Sequence, residues 1–229
     1  MTTKQDLKEM FDAGVHVGHR TRKWNPKMKK FIHGERGGVH IINLEHTVDL
    51  LDEALVFMKN LKAEGKVILF VSTKPQSVDL VIDLANATGM PFVVSKWIPG
   101  LLTNFKTVKT RIRHMVDLRE EKATGEFDKY TKKEASKLEK TIVKLTIALG
   151  GVEHLKGKPD AVFVLDTVRD AIVVKEARKL GVPVVGVVDT NADPSVIDYP
   201  IPANDDAMKS LVYLLDRIKV SVSSSKAKK

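Results

Sequence analysis

A chain of 229 residues, 43% hydrophobic and 29% charged, is long enough to bury a sizeable core in one domain and too apolar to be disordered. It has no cysteine, which removes disulfides, thiol nucleophiles and cysteine-ligated zinc, and no run of about 18 apolar residues that would span a membrane. Its formal charge is +9, and its start, MTTKQDLKEMF, lacks the apolar stretch of a secretion signal, so a cytoplasmic protein is expected.

In chain order, Thr3 to Phe11 reads as a short helix, with Thr3 and Asp6 at capping distance and Gly14 ending it. The stretch from Gly14 to Leu44 follows ordinary folding rules least. Between Arg20 and Arg36 it has seven fixed positive charges against the single acid Glu35. Trp24, Met28, Phe31 and Ile32 are interleaved with those charges without a clean period, and Asn25-Pro26 breaks any helix. A long, basic, irregular segment with aromatic punctuation suits a phosphate backbone with rings laid against bases, and a solvated surface loop is the alternative. Val39 to Ile42 then reads as the first short strand.

From Asn43 to Glu64, apolar residues at Leu44, Val48, Leu51, Leu55, Met58 and Leu61 predict an amphipathic helix. KVILFV, at Lys66 to Val71, is the continuous apolar run of a strand buried on both faces. A helix-period stretch from Gln76 leads to PFVV at Pro91, and the alternation resumes with AVFVL at Ala161, a helix from Asp170, VVGVV at Val184, an edge strand near Tyr199 and a final helix from Asn204. Strand and helix in regular alternation predict a doubly wound α/β domain on a parallel sheet.

An insertion interrupts that rhythm. Phe105, Val108, Ile112 and Met115, then Ala135, Leu138, Ile142, Leu145 and Leu149, form two narrow seams, and Thr131 with Glu134 makes a capping box between them. An antiparallel helical hairpin with basic outer faces follows. The chain thus divides into a helix with a basic segment (1–36), a sheet domain (37–103 and 152–220), the hairpin (104–151) and a flexible basic tail (221–229). The basic segment holds +6, the hairpin +5 and the end from Lys219 +4, leaving −6 for everything else. An acidic body with basic appendages points to a polyanionic partner.

A doubly wound sheet often holds phosphates at its strand ends, yet neither GxGxxG nor GxxxxGK[ST] occurs. VSTKP, at Val71 to Pro75, reads as a strand-to-helix turn capped by Ser72 or Thr73, with Lys74 exposed. Asp166 and Asp189 each follow an apolar strand. They would either share a magnesium ion in a phosphate-dependent enzyme or satisfy turn amides. Five of the seven histidines, His16, His19, His33, His40 and His46, lie near the start without a zinc-ligand spacing, so no metal is expected. Trp97 reads as packing under the hairpin.

The phrases AGVHVGHRTRKWNPKMKKFIHGERGGVHIINLEHTV, KWIPGLLTNFKT, GEFDKYTKKEASKLEK and VVDTNADP, in order along essentially the whole chain, resemble the bacterial-type family of ribosomal protein two of the small subunit. That resemblance implies a flavodoxin-like sheet with an inserted hairpin and a place between head and body of the small subunit. It also implies binding to small-subunit ribosomal RNA and neighbouring ribosomal proteins, with docking of ribosomal protein one attributed to the same neighbourhood. It implies no catalytic residue, cofactor or small-molecule substrate. Carried over by position, Arg20, Arg22, Lys23, Trp24, Asn25, Lys27, Lys29 and Lys30 are the expected RNA contacts. Pro99, where the family leads one to expect a glycine, and the tail are the departures.

Overall fold

A computed structural model of the chain describes residues 4–223. The expected cap at Thr3 and the tail beyond residue 223 lie outside the described residues. Five strands, β4 (Ile68–Val71), β5 (Phe92–Val93), β6 (Ala161–Val164), β7 (Val184–Val188) and β8 (Tyr199–Pro202), form an all-parallel sheet in the order β5-β4-β6-β7-β8. The strand order is therefore 2-1-3-4-5, the doubly wound flavodoxin-like arrangement, with its reversal between β4 and β6. Every residue of β4, β6 and β7 is buried, which is why these strands read as unbroken apolar runs instead of alternating.

Helices cover both faces. On one, α1 (Lys4–Asp12), α2 (Leu44–Ala63), α3 (Val78–Thr88) and α7 (Met208–Ser223) pack against Phe70, Phe163, Val185, Val187 and Ile201. Asn43 caps α2 by accepting from Glu45 N, and five of the six apolar positions expected on it are buried, Leu44 being partly so. Thr47 on α2 donates to the Pro202 carbonyl at 2.6 Å and so ties the helix to edge strand β8. On the other face, α6 (Ala171–Lys179) and the base of the hairpin meet Leu69, Val71, Val162, Val164 and Val188.

The hairpin consists of α4 (Phe105–Ala123) and α5 (Lys132–Leu149), and the Thr131–Glu134 capping box is present in both directions. Its seam is asymmetric. Val108, Ile112, Met115 and Leu118 of α4 are buried, whereas on α5 only Leu149, at the base, is fully so. The loop that launches the hairpin is fixed by one carboxylate. Glu176 of α6 accepts from Trp97 Nε1, from the backbone amides of Gly100, Leu102 and Thr103, and from the Thr103 hydroxyl, all at 2.7–3.1 Å. Burial alone would push Glu176 up, but those donors hold it below the usual carboxylate range. Trp97 is buried beneath the insertion, as its apolar neighbours suggest.

Candidate nucleic-acid interface

The basic N-terminal segment is an ordered arm. Strands β1 (Val17–Arg20), β2 (Ile32–Arg36) and β3 (Val39–Ile42) form a small antiparallel sheet in the order β1-β3-β2. Val39–Ile42 is therefore the third strand of the chain, not the first. Gly37 and Gly38, both at positive φ, make the β2–β3 turn. Two 3-10 turns, Thr21–Lys23 and Pro26–Phe31, fill the space between β1 and β2, and Asn25 caps the second by accepting from Lys27 N. A 3-10 turn has three residues per turn, so Met28 and Phe31 fall on one side. That side is inward, and both are buried in the core beneath the second sheet face, so Phe31 is not a ring offered to RNA.

The arm is clamped to the loops at the carboxyl ends of β7 and β8. Asn25 N donates to the Thr190 carbonyl at 2.7 Å, His19 N to Thr190 Oγ1 at 2.9 Å, and Asn204 N to the Val15 carbonyl at 2.9 Å. The Lys27 ammonium sits 2.7 Å from Asp193 and 2.8 Å from Ser195 Oγ. Burial would raise Asp193, but the Lys27 and Ser195 bonds hold it below its ordinary range. Gly18 is required for this approach, because a Cβ there would stand 2.5 Å from Thr190 Cγ2.

The eight expected contact residues therefore divide. Asn25, half-buried, and Lys27, ion-paired, hold the arm to the body. Arg20, Arg22, Lys23, Lys29 and Lys30 are exposed and, among the described residues, make no ion pair; Lys30 lies 4.6 Å from the centre of the Phe31 ring. Trp24 is 37% exposed and tilts against His40 at 5.2 Å. In the hairpin, Lys106, Lys109, Arg111 and Arg113 present a second exposed basic surface on the first turns of α4.

Beneath the arm, the crevice where a doubly wound sheet would take a ligand is filled by the protein's own charges. Lys74, expected to be exposed, is buried. Its ammonium lies 3.0 Å from Asp166, 2.8 Å from Asp205 and 2.8 Å from Asp206. Nothing next to Lys74 in sequence announces this, since its acids come from the loop after β6 and the loop before α7. Burial works against its charge, but the three carboxylates raise its pKa above the ordinary lysine value. His19 joins the group through Asp189 at 3.0 Å and Asp206 at 3.4 Å, and the hydrogen bond to Asp189 raises its pKa. Acids outnumber cations here. Burial, then Asp166 and Asp189, push the Asp205 carboxyl up to about 7, against the pull of Lys74.

The two strand-end aspartates face inward. Asp166 Oδ1 accepts from Val168 N and Arg169 N at 3.1 and 2.8 Å while its other oxygen meets Lys74, and Asp189 accepts from Thr190 N and faces His19. These are the bonds of turn closure and internal pairing. His19, Asp205 and Asp206 bring ligand-type atoms within 4.8 Å of one another, a grouping that histidine spacing did not reveal because two members lie far along the chain.

The family model for ribosomal protein S2 matches residues 10–225. The chain belongs to the ribosomal protein S2 family. It is 48% identical over 205 residues to small ribosomal subunit protein uS2 of Hahella chejuensis, covering 90% of this chain and 81% of that one. It is 45% identical over 216 residues to uS2 of Acidobacterium capsulatum, covering 94% and 72%. Against uS2 of Saccharophagus degradans the identity is 46% over 205 residues, covering 90% and 83%.

Proposed function

We propose that the arm and the basic faces of the hairpin carry the contact with small-subunit ribosomal RNA. Arg20, Arg22, Lys23, Trp24, Lys29 and Lys30 touch it, and Asn25 and Lys27 hold the arm in place. As a member of the S2 family the chain is a structural constituent of the small ribosomal subunit, serves translation in the cytoplasm, and is not an enzyme. Ribosomal RNA and neighbouring ribosomal proteins are its partners. In this division of labour, residues 1–36 and 104–151 meet RNA, and the sheet domain of 37–103 and 152–220 is the scaffold.

The supporting observation is the row of exposed cations that make no ion pair among the described residues, on an arm fixed to the body by other residues. Charges already paired inside the protein have little to offer a phosphate, and these make no ion pair among the described residues. Phosphate contacts of this kind position a protein, and RNA shape selects the site.

Sedimentation of small subunits through gradients of rising salt tests the reading. Replacing Arg20, Arg22, Lys23, Lys29 and Lys30 by Ala leaves the fold stable, since the side chains are exposed, and lowers the log–log salt slope of retention by about 4. An unchanged slope would mean that the arm does not meet RNA and the hairpin is the anchor. Docking of ribosomal protein one on this chain is a narrower partner reading that rests on the family likeness. Mixing the two purified proteins tests it, and separate sedimentation peaks reject it.

A further inference from the structure

Helix α6 belongs to the sheet domain, yet its outer face is charged like the appendages. From Arg169 to Lys179 the sequence has four cations and two acids, a modest balance of +2. The fold separates the two signs. Asp170 is buried and accepts from Thr73 N at 3.0 Å and Thr73 Oγ1 at 2.8 Å, and Glu176 is buried against the loop that launches the hairpin. Arg169, Lys175, Arg178 and Lys179 are all exposed, so the surface of this stretch carries +4 and no acid. None of the four makes an ion pair among the described residues. Arg169 Nε donates to Thr73 Oγ1 at 3.0 Å and acts on Asp170 at longer range, and Arg178 donates to the Ser195 carbonyl at 3.4 Å. Two acids border Arg178, but Asp193 is held by Lys27, and Asp198 accepts from Val184 N.

The helix lies between the arm and the hairpin. On one side, Arg178 and Lys175 line a cleft shared with Asn25 of the arm. On the other, Glu176 holds Trp97 and Gly100 at the base of the hairpin. At 3.6 residues per turn, Arg178, Lys175, Lys179 and Glu176 follow one another around the helix in that order, so cations fill the arc from the arm side to the hairpin side. A solvated helix face ordinarily mixes both signs, and a face of one sign favours a partner of the other. Continuity decides which partner. The surfaces on either side are themselves exposed and cationic, at Lys29 and Lys30 on the arm and at Lys106 and Lys109 on the hairpin, and a polyanion that meets both crosses α6 on the way.

We infer that Arg169, Lys175, Arg178 and Lys179 form a third phosphate-binding surface, which joins the arm and the hairpin into one track for the backbone of small-subunit ribosomal RNA. This rests on the RNA-contact reading of the arm and hairpin, and adds to it a site on the sheet domain, which that reading leaves as scaffold.

Hydroxyl radicals, which cleave accessible riboses whatever their base, are the probe. They are applied to small subunits containing the wild-type chain, the five-fold arm variant, an α6 variant with Arg169, Lys175, Arg178 and Lys179 all replaced by Ala, or a smaller one with only Lys175→Ala and Lys179→Ala. The smaller variant changes two exposed side chains that make no ion pair among the described residues, so its folding is not at stake. In subunits that retain the chain, both α6 variants are expected to raise cleavage about two-fold or more at riboses protected by the wild type and adjoining those that the arm variant exposes. The larger one also lowers the log–log salt slope of retention by about 3. If neither changes any ribose while the arm variant exposes its own set, α6 is a solvated face, and the arm reading stands. Riboses exposed far from the arm's set would refute a single track. If the arm variant exposes none, the arm reading fails and the joining surface with it. Loss of a neighbouring ribosomal protein from the α6 variants, with no ribose exposed, would identify a protein occupant and overturn the proposal.

Discussion

Glu176→Gln isolates the residue that aims the hairpin. In the wild type, Oε1 receives Trp97 Nε1 and Gly100 N, and Oε2 receives Leu102 N, Thr103 N and the Thr103 hydroxyl. A glutamine has one oxygen for these two groups of donors. Whichever way its amide turns, two N–H donors lose their acceptor and face another N–H. At about 1–3 kcal/mol for each buried unsatisfied donor, the substitution costs about 2–6 kcal/mol, a large share of the ~5–15 kcal/mol that holds a domain folded. Urea denaturation measures the total, and amide exchange locates it: Gly100, Leu102 and Thr103 lose protection while β6 and β7 keep theirs. The pH dependence adds a signature. Because Glu176 titrates below its ordinary 4.5 when folded, its contribution is full above that value and is lost as pH falls through the folded one. The variant lacks that acid-labile part. A loss below about 1 kcal/mol, with unchanged exchange at those three amides, would refute the idea that this carboxylate fixes the hairpin.

Three further outcomes follow from the charge cluster and the arm. Lys74→Met leaves Asp166, Asp205 and Asp206 without their shared cation and costs about 3–5 kcal/mol in urea denaturation; a loss under about 1 kcal/mol would show that the carboxylates are already neutral or hydrated. Asp205, pushed up from an ordinary 3.8 to about 7, binds a proton in the folded state that the unfolded chain releases, so its contribution to stability falls as pH rises from about 4 to 7. In metal-free buffer Asp205→Asn flattens that fall, leaving the same-signed part from His19, and an unaltered profile would assign the titration elsewhere. Gly18→Ala sets a methyl against Thr190 and the His40 carbonyl, costs about 1–3 kcal/mol, and speeds proteolysis within residues 15–30; Thr190→Ser, which removes the clashing Cγ2, partly restores resistance. Equal cleavage rates in Gly18→Ala and wild type would mean that the arm is not clamped there.

The parallel sheet was legible because a strand buried on both faces must be apolar throughout, and ILFV, AVFV and VVGVV are. The hairpin was legible because its seams and capping box are local. The arm was not. Its strands, such as HGER within β2, are short and carry charges, because one face of the small sheet is left to solvent. The one local signal was the spacing of Met28 and Phe31, which at three residues per turn puts both on the buried side. Lys74 was illegible for a different reason: what buries it is a set of acids brought together only by the sheet's topology.

The two illegible features depend on each other. An open α/β sheet leaves a crevice at its strand ends, and in this chain Lys74 and the acids around it close that crevice with internal ion pairs. The same acids reach upward to His19, and the loop after β7 reaches Asn25 and Lys27, so the filled crevice becomes the foundation on which the arm stands. Lys27 and His19 meet internal acids directly, whereas Arg20, Arg22, Lys23, Lys29 and Lys30 make no ion pair among the described residues, Lys23 acting on Asp206 only at longer range, and their side chains are exposed. The ion pairs that close the crevice thus also support the arm whose exposed cations we propose meet ribosomal RNA, and the two properties follow from one arrangement of charge.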